Sequence, residues 1–189
     1  MKIVIFIFSL MFTVSLFSQE GVYIMFYGGQ HKSGITWAQP RGKSDLYISV
    51  QHPYSNEHHL SFKAFLHDGY GSAGYNWASW KGEGVDITQY KNLVFQIGVS
   101  KTKIEAIYIQ LASKGLNKHD EHGAKVDILP DIEKRNVYVR ISIPIKKLLG
   151  RTLDPKHVWG FNIEVFGKGK NNAKKEFCRI FLDNIRFEK

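Results

Sequence analysis

Three stretches of this chain set rings, amides and charges at alternate positions between aliphatic residues. In residues 104–111, Ile107, Ile109 and Leu111 alternate with Tyr108 and Gln110; in residues 137–143, valines and isoleucines alternate with Tyr138, Arg140 and Ser142. In residues 158–166, Trp159, Phe161, Ile163 and Val165 alternate with Asn162 and Glu164. A period of two is that of a strand with one face in a core, so Tyr108, Gln110, Arg140, Asn162 and Glu164 are expected on outer faces. Such a set suits saccharides, whose hydroxyls need polar partners and whose C–H faces stack on aromatic rings. Trp37, Tyr75, Trp77 and Trp80 stand in text with few large aliphatics, where a stacking platform could form. Three positions separate Trp77 from Trp80, which in a strand sends them to opposite faces; Trp77, together with Tyr75, is the pair expected at a ligand, and Trp159 is expected in the core.

Catalytic readings need specific pairs. A glycoside hydrolase would need two carboxylates, for which Glu164 and Asp183 are candidates, and a polysaccharide lyase would need Tyr108 or Tyr138 beside Arg140. No two acids recur on one predicted strand face, so catalysis is the secondary expectation. Residues 119–122, His-Asp-Glu-His, carry metal-capable side chains in a polar loop with nothing to fix them on one ion, and the neighbours His58 and His59 split across a strand. Residues 69–74 fit the Gly-x-Gly-x-x-Gly spacing, but strand-like text follows where a dinucleotide site needs a helix, so a flexible turn is expected there.

These side chains need a frame, and the rest of the sequence reads as one. The chain has 189 residues, 43% hydrophobic and 14% aromatic, with 17 glycines and 5 prolines, which describes a single folded domain with a sizeable core. One cysteine, Cys178, excludes a disulfide framework. Strand-like runs cover residues 22–27, 46–51, 59–67, 75–80, 93–99, 104–111, 137–143, 158–166 and 177–187, separated by Gly, Asn, Asp and Lys clusters. Only residues 145–149 read as a helical turn, so the crossover helices of a parallel sheet are missing and an antiparallel sandwich or barrel is expected.

Residues 1–18 read as a secretory signal: Met1-Lys2, an apolar stretch over 3–17, and Ser18 before a plausible cut. That stretch is short for a membrane span of roughly 20 residues, so an exported, secreted or periplasmic domain over 19–189 is expected, without stable membrane insertion. The net charge is +9, but the Lys clusters are scattered and make no phosphate-tracking stripe, so nucleic acid is not an expected partner. The positive balance favours acidic glycans over neutral ones.

The run Trp77-Ala78-Ser79-Trp80 followed by Gly84-Val85-Asp86-Ile87-Thr88-Gln89-Tyr90-Lys91-Asn92-Leu93-Val94-Phe95-Gln96-Ile97 resembles the middle of carbohydrate-binding modules with the galactose-binding-like jelly roll, family 11 and its relatives. Ile143-Pro144-Ile145, Val158-Trp159-Gly160-Phe161-Asn162-Ile163 and the closing Leu182-Asp183-Asn184-Ile185-Arg186-Phe187 are similar to the last landmarks of those modules in the same order. The resemblance spans nearly the whole chain beyond residue 18. It implies an all-β, two-sheet antiparallel jelly-roll sandwich and a polysaccharide or cell-surface glycan as partner, presented to a separate glycan-active enzyme. The same fold also carries protein-interaction domains. The resemblance further implies a structural calcium, with Asp183 at the matching acidic position. Tyr27-Gly28-Gly29-Gln30 departs from the family's acidic opening, so Asp183 could instead stabilise a bulge in the last strand.

Overall fold

The computed structural model describes residues 22–27, 30–31, 35–39, 44–49, 59–66, 69–77, 84–114, 120–132, 134–167 and 177–189. The expected signal segment 1–18, His58, Trp80 and His119 lie outside the described residues. The elements in chain order are β1 (Val22–Tyr27), β2 (Gln30–His31), β3 (Ile35–Gln39), β4 (Asp45–Ser49), β5 (His59–Phe65), β6 (Tyr70–Asn76), β7 (Asn92–Val99), β8 (Ile104–Lys114), β9 (Asp120–His122), β10 (Val126–Asp127), a 3-10 turn (Leu129–Asp131), β11 (Tyr138–Pro144), a one-turn helix α1 (Ile145–Leu148), β12 (Val158–Gly167) and β13 (Phe177–Glu188).

Among the described residues all pairings are antiparallel and fall into two sheets, the sandwich that the strand pattern allowed and the jelly roll that the family resemblance implied. The long β13 organises the first sheet. One of its edges pairs with β7, which in turn pairs with β11; the other is divided between β5, opposite residues 177–182, and β1, opposite residues 185–188. Strand β4 adds to β5, and β2 to β1. The second sheet has the order β10-β8-β12-β6-β3, with β9 beside β8.

Alternation works as the sequence implied. Leu60, Phe62, Phe95, Ile97, Ile180, Leu182 and Phe187 from the first sheet meet Ile107, Ile109, Leu111, Phe161, Ile163 and Val165 from the second in one apolar cluster. Removal of these side chains from water is the main favourable term of folding, at about 1.5–3 kcal/mol for each fully buried large residue. Cys178 joins the cluster, and burial pushes its thiol up to about 11.

Two local readings are corrected. Residues 69–74 are not a flexible turn: only Gly69, at φ 78°, is a turn residue, and the strand already begins at Tyr70. Small residues suit that strand because a Cβ on Gly71 would stand 3.0 Å from the Cβ of Ala64. This earlier start fixes the phase of β6 so that Ala73, Tyr75 and Trp77 point inward. Tyr75 and Trp77 are therefore core residues, 2% and 3% exposed, not a ligand platform. Trp77 packs edge-on against Phe187 at 6.0 Å, and its indole N–H donates to the Val158 carbonyl at 3.2 Å, which satisfies the polar end of a buried ring. Trp159 is buried, as expected, although a bulge between Val158 and Gly160 sets it out of phase with Phe161 and outside the main apolar cluster.

Truncating Trp77 should act on folding. Trp77→Ala is expected to lose about 3–5 kcal/mol of stability in urea denaturation, the cost of a large cavity. A loss under about 1 kcal/mol would contradict its place in the core.

Candidate functional site

The outer face of the second sheet brings together most of the residues singled out by their type. Strand β12 lies between β6 and β8, and its outward positions are Gly160, Asn162, Glu164 and Phe166, out of phase with the buried Phe161, Ile163 and Val165. Register then defines rows across the sheet. Asn162 is partnered by Gln110 on one side and Gly74 on the other, and Gly74 by Trp37 at the β3 edge. In the next row Glu164 is partnered by Tyr108 and Ser72, and Ser72 by Gln39. The row beyond is Ala106, Phe166 and Tyr70. Neighbouring strands are about 4.8 Å apart, so these rows place ligand-capable groups side by side.

The middle of this face is low and its end is high. Gly74, Gly160 and Ala112 carry little or no side chain. Gly160 cannot carry more, since a Cβ there would stand 2.8 Å from the Tyr75 carbonyl oxygen. Although Asn162 points away from the core, it is only 8% exposed. Its amide makes no hydrogen bond to protein among the described residues, whereas the Gln110 amide N–H donates to the Gly123 carbonyl at 2.7 Å and is held in place. At the higher end three half-buried rings meet: Phe166 lies 5.1 Å from Tyr70 and 5.6 Å, edge to face, from Tyr108. On the rim Lys125 reaches Glu164 at 2.6 Å, with the lysine about half exposed.

Of the expected ligand residues, Tyr108, Gln110, Asn162 and Glu164 thus share one sheet face by register, and the Trp37 backbone pairs into the Asn162 row at the β3 edge. Tyr75 and Trp77 do not reach it. Arg140 is exposed as expected but belongs to β11 in the other sheet, where it pairs with Glu188 at 3.1 Å. Tyr70 and Phe166 escaped the sequence reading. The signal was present for Phe166, because the alternation of Asn162 and Glu164 continues to it. The proposed acid pair is split between sheets, with Glu164 on β12 and Asp183 on β13, and Tyr108 and Arg140 are split in the same way.

Asp183 is buried at an irregularity. The register of β13 against β7 shifts between Asp183 and Arg186, Asn184 has φ 54°, and an Asp183 carboxylate oxygen accepts the Asn184 backbone N–H at 2.7 Å. This is the bulge-stabilising role open to it from sequence. Calcium takes six to eight oxygens, and among the described residues no group of three metal-capable side chains is found.

The fold is that of carbohydrate-binding modules of families 11 and 30. It is similar to the family 11 module of the cellulosomal cellulase Lic26A-Cel5E of Clostridium thermocellum, with 16% identity, a TM-score of 0.60, and 90% of this chain and 96% of that one covered. A family 11 module from Clostridium thermocellum in complex with a β-1,3-1,4-mixed-linked tetrasaccharide matches at 16% identity and a TM-score of 0.60, over 90% of this chain and 97% of that one. The family 30 module of the cellulosomal cellulase Cel9D-Cel44B of Clostridium thermocellum matches at 14% identity and a TM-score of 0.67, over 89% of this chain and 97% of that one. No protein-family model matches the chain, and a comparison with curated proteins returns no match.

The rim ion pair should be separable from folding. Because Lys125 is solvated, Lys125→Ala is expected to change unfolding free energy by less than about 1 kcal/mol. A loss above about 2 kcal/mol in denaturant titration would make the pair structural and remove Glu164 from the groups open to a ligand.

Proposed function

We propose that this chain is a secreted, non-catalytic carbohydrate-binding module that holds a polysaccharide against the outer face of its second sheet. The observation that carries the reading is the row Trp37, Gly74, Asn162 and Gln110, with the Tyr70, Phe166 and Tyr108 rings at its flank. Asn162 offers a donor and an acceptor to a sugar's adjacent hydroxyls. The rings stack on C–H faces, and the glycine floor lets a chain approach the backbone. Binding groups of this kind retain a glycan without cleaving it, and the biological output is adhesion or delivery to a separate glycan-active enzyme. Secretion is proposed from the signal-like residues 1–18. The tetrasaccharide in the family 11 complex makes a β-1,3-1,4-mixed-linked polysaccharide the first ligand to try.

Affinity electrophoresis in gels containing mixed-linked β-glucan is the test. Retardation of the unmodified protein is expected, weakened about tenfold in Tyr108→Ala and in Asn162→Ala, each of which removes about 1–2 kcal/mol of stacking or hydrogen bonding. Arg140→Ala, on the other sheet, is expected to bind as the parent does. Absence of retardation by any glycan, equal binding by all three variants, or turnover of the glycan would contradict the proposal.

A structural calcium at Asp183, carried over from the family resemblance, is a separate proposal and would draw its other donors from beyond the described residues. Thermal melting checks it: a calcium-bound module melts several degrees above a chelator-treated sample, and coincident curves remove the site.

A further inference from the structure

At the end of the sandwich where β7 turns into β8, a cleft of about 400 Å³ is lined by Lys101, Thr102, Lys103, Ile104, Glu105 and Arg135. Three of these six side chains are cations and one is an acid. None of the cations takes part in an ion pair among the described residues, where the pairs are Lys125 with Glu164, Arg140 and Arg186 with Glu188, and His157 with Asp154. Glu105 lines the same cleft without neutralising any of them within ion-pair distance.

Arg135 carries the decisive feature. Its Nη1 is buried and has no hydrogen-bond partner among the described residues. A guanidinium does not escape that penalty by losing its proton, so the nitrogen stays charged and lacks an acceptor. Neutral groups nearby are already committed to holding the turn. The Ser100 backbone N–H donates to the Arg179 carbonyl at 2.9 Å, the Arg179 N–H donates to the Ser100 hydroxyl at 3.0 Å, and the Thr102 hydroxyl donates to the Phe177 carbonyl at 2.8 Å. The Asn136 N–H donates to the Val99 carbonyl at 2.9 Å, with Asn136 at φ 59°, which fixes the segment bearing Arg135 beside the same turn. A braced turn thus presents two lysines and a guanidinium to one volume, a donor set whose chemistry suits an oxyanion.

We infer that this cleft is an oxyanion site that takes a sulfate ester or carboxylate of an acidic glycan. The inference rests on the reading of the chain as a glycan binder and adds a ligand class to it. A charged acceptor would give Arg135 the charge-assisted bond it lacks, with Lys101 and Lys103 closing over the other oxygens. Ile104 opens β8, so Tyr108 lies roughly 13 Å further along that strand at about 3.3 Å per residue. One polysaccharide chain can therefore engage the ring end of the outer face and the cleft together, and the second contact becomes intramolecular.

The experiment has two arms. In the first, inorganic sulfate is titrated into the protein at constant ionic strength and followed by NMR; shifts are expected in residues 100–105 and at the Arg135 side chain, and are lost in Arg135→Gln. In the second, gels contain neutral mixed-linked β-glucan, a polyuronate or a sulfated polysaccharide, and the two acidic gels separate carboxylate from sulfate as the source. Arg135→Gln, and independently Lys101→Gln/Lys103→Gln at exposed turn positions, are expected to lose about tenfold in at least one acidic gel and nothing in the neutral gel, as befits charge-assisted bonds. Sulfate shifts absent from this turn, or acidic-gel retardation unchanged in both variants, would overturn the site. Normal sulfate shifts with no retardation by any glycan would keep the oxyanion pocket and overturn its glycan occupant.

Discussion

Strand β12 is paired on both edges, with β6 and β8, along nearly its whole length, and its register decides what every side chain of the second sheet does. A slip by one residue would exchange Phe161, Ile163 and Val165 with Asn162, Glu164 and Phe166, placing amide and carboxylate in the core and aliphatics in water. Burial of the first set therefore holds the second set outward. The row of Asn162 and Gln110 is the reverse side of the hydrophobic core, and neither exists without the other. Gly160 sharpens this constraint, because β12 meets β6 so closely there that no larger residue fits.

The same rings can serve a core or a ligand, and their environment separates the two uses. Trp77 has an indole N–H satisfied by a backbone carbonyl and packs beside Tyr75 and Phe187, which makes it part of the contact between sheets. Tyr108, Phe166 and Tyr70 pack on one another at the outer surface and keep part of their area exposed. Rings held in place by other rings lose little further freedom on binding, which is why such clusters make efficient platforms.

Much of the frame was legible before any coordinates. The β1 run matches its strand, and β7, β8, β12 and β13 lie close to the runs of alternating residues that announced them, because one face of each meets a single shared core. The β6 strand was hidden by its glycines, which depress strand propensity while permitting the close approach to Ala64. A strand read from Tyr75 instead of Tyr70 lacks that neighbourhood, which is why the sequence pattern alone points Tyr75 and Trp77 at a ligand. Alternation within a strand gives phase but not sheet membership, so Arg140 was rightly outward and wrongly grouped with Asn162. The short strands β2, β9 and β10 have too few residues for any period to show. The bulge at Trp159 inserts one residue into the pattern, an event to which a period of two is blind.

The central claim is that the outer face of β3, β6, β12 and β8 is where a glycan lies. Backbone amide NMR during titration with a mixed-linked β-glucan tetrasaccharide tests it most directly. The account predicts the largest shifts in residues 70–76, 106–112 and 160–166, alternating along each strand in favour of the outward positions. Shifts concentrated on β11 and β13, or spread evenly over inward and outward positions, would contradict it.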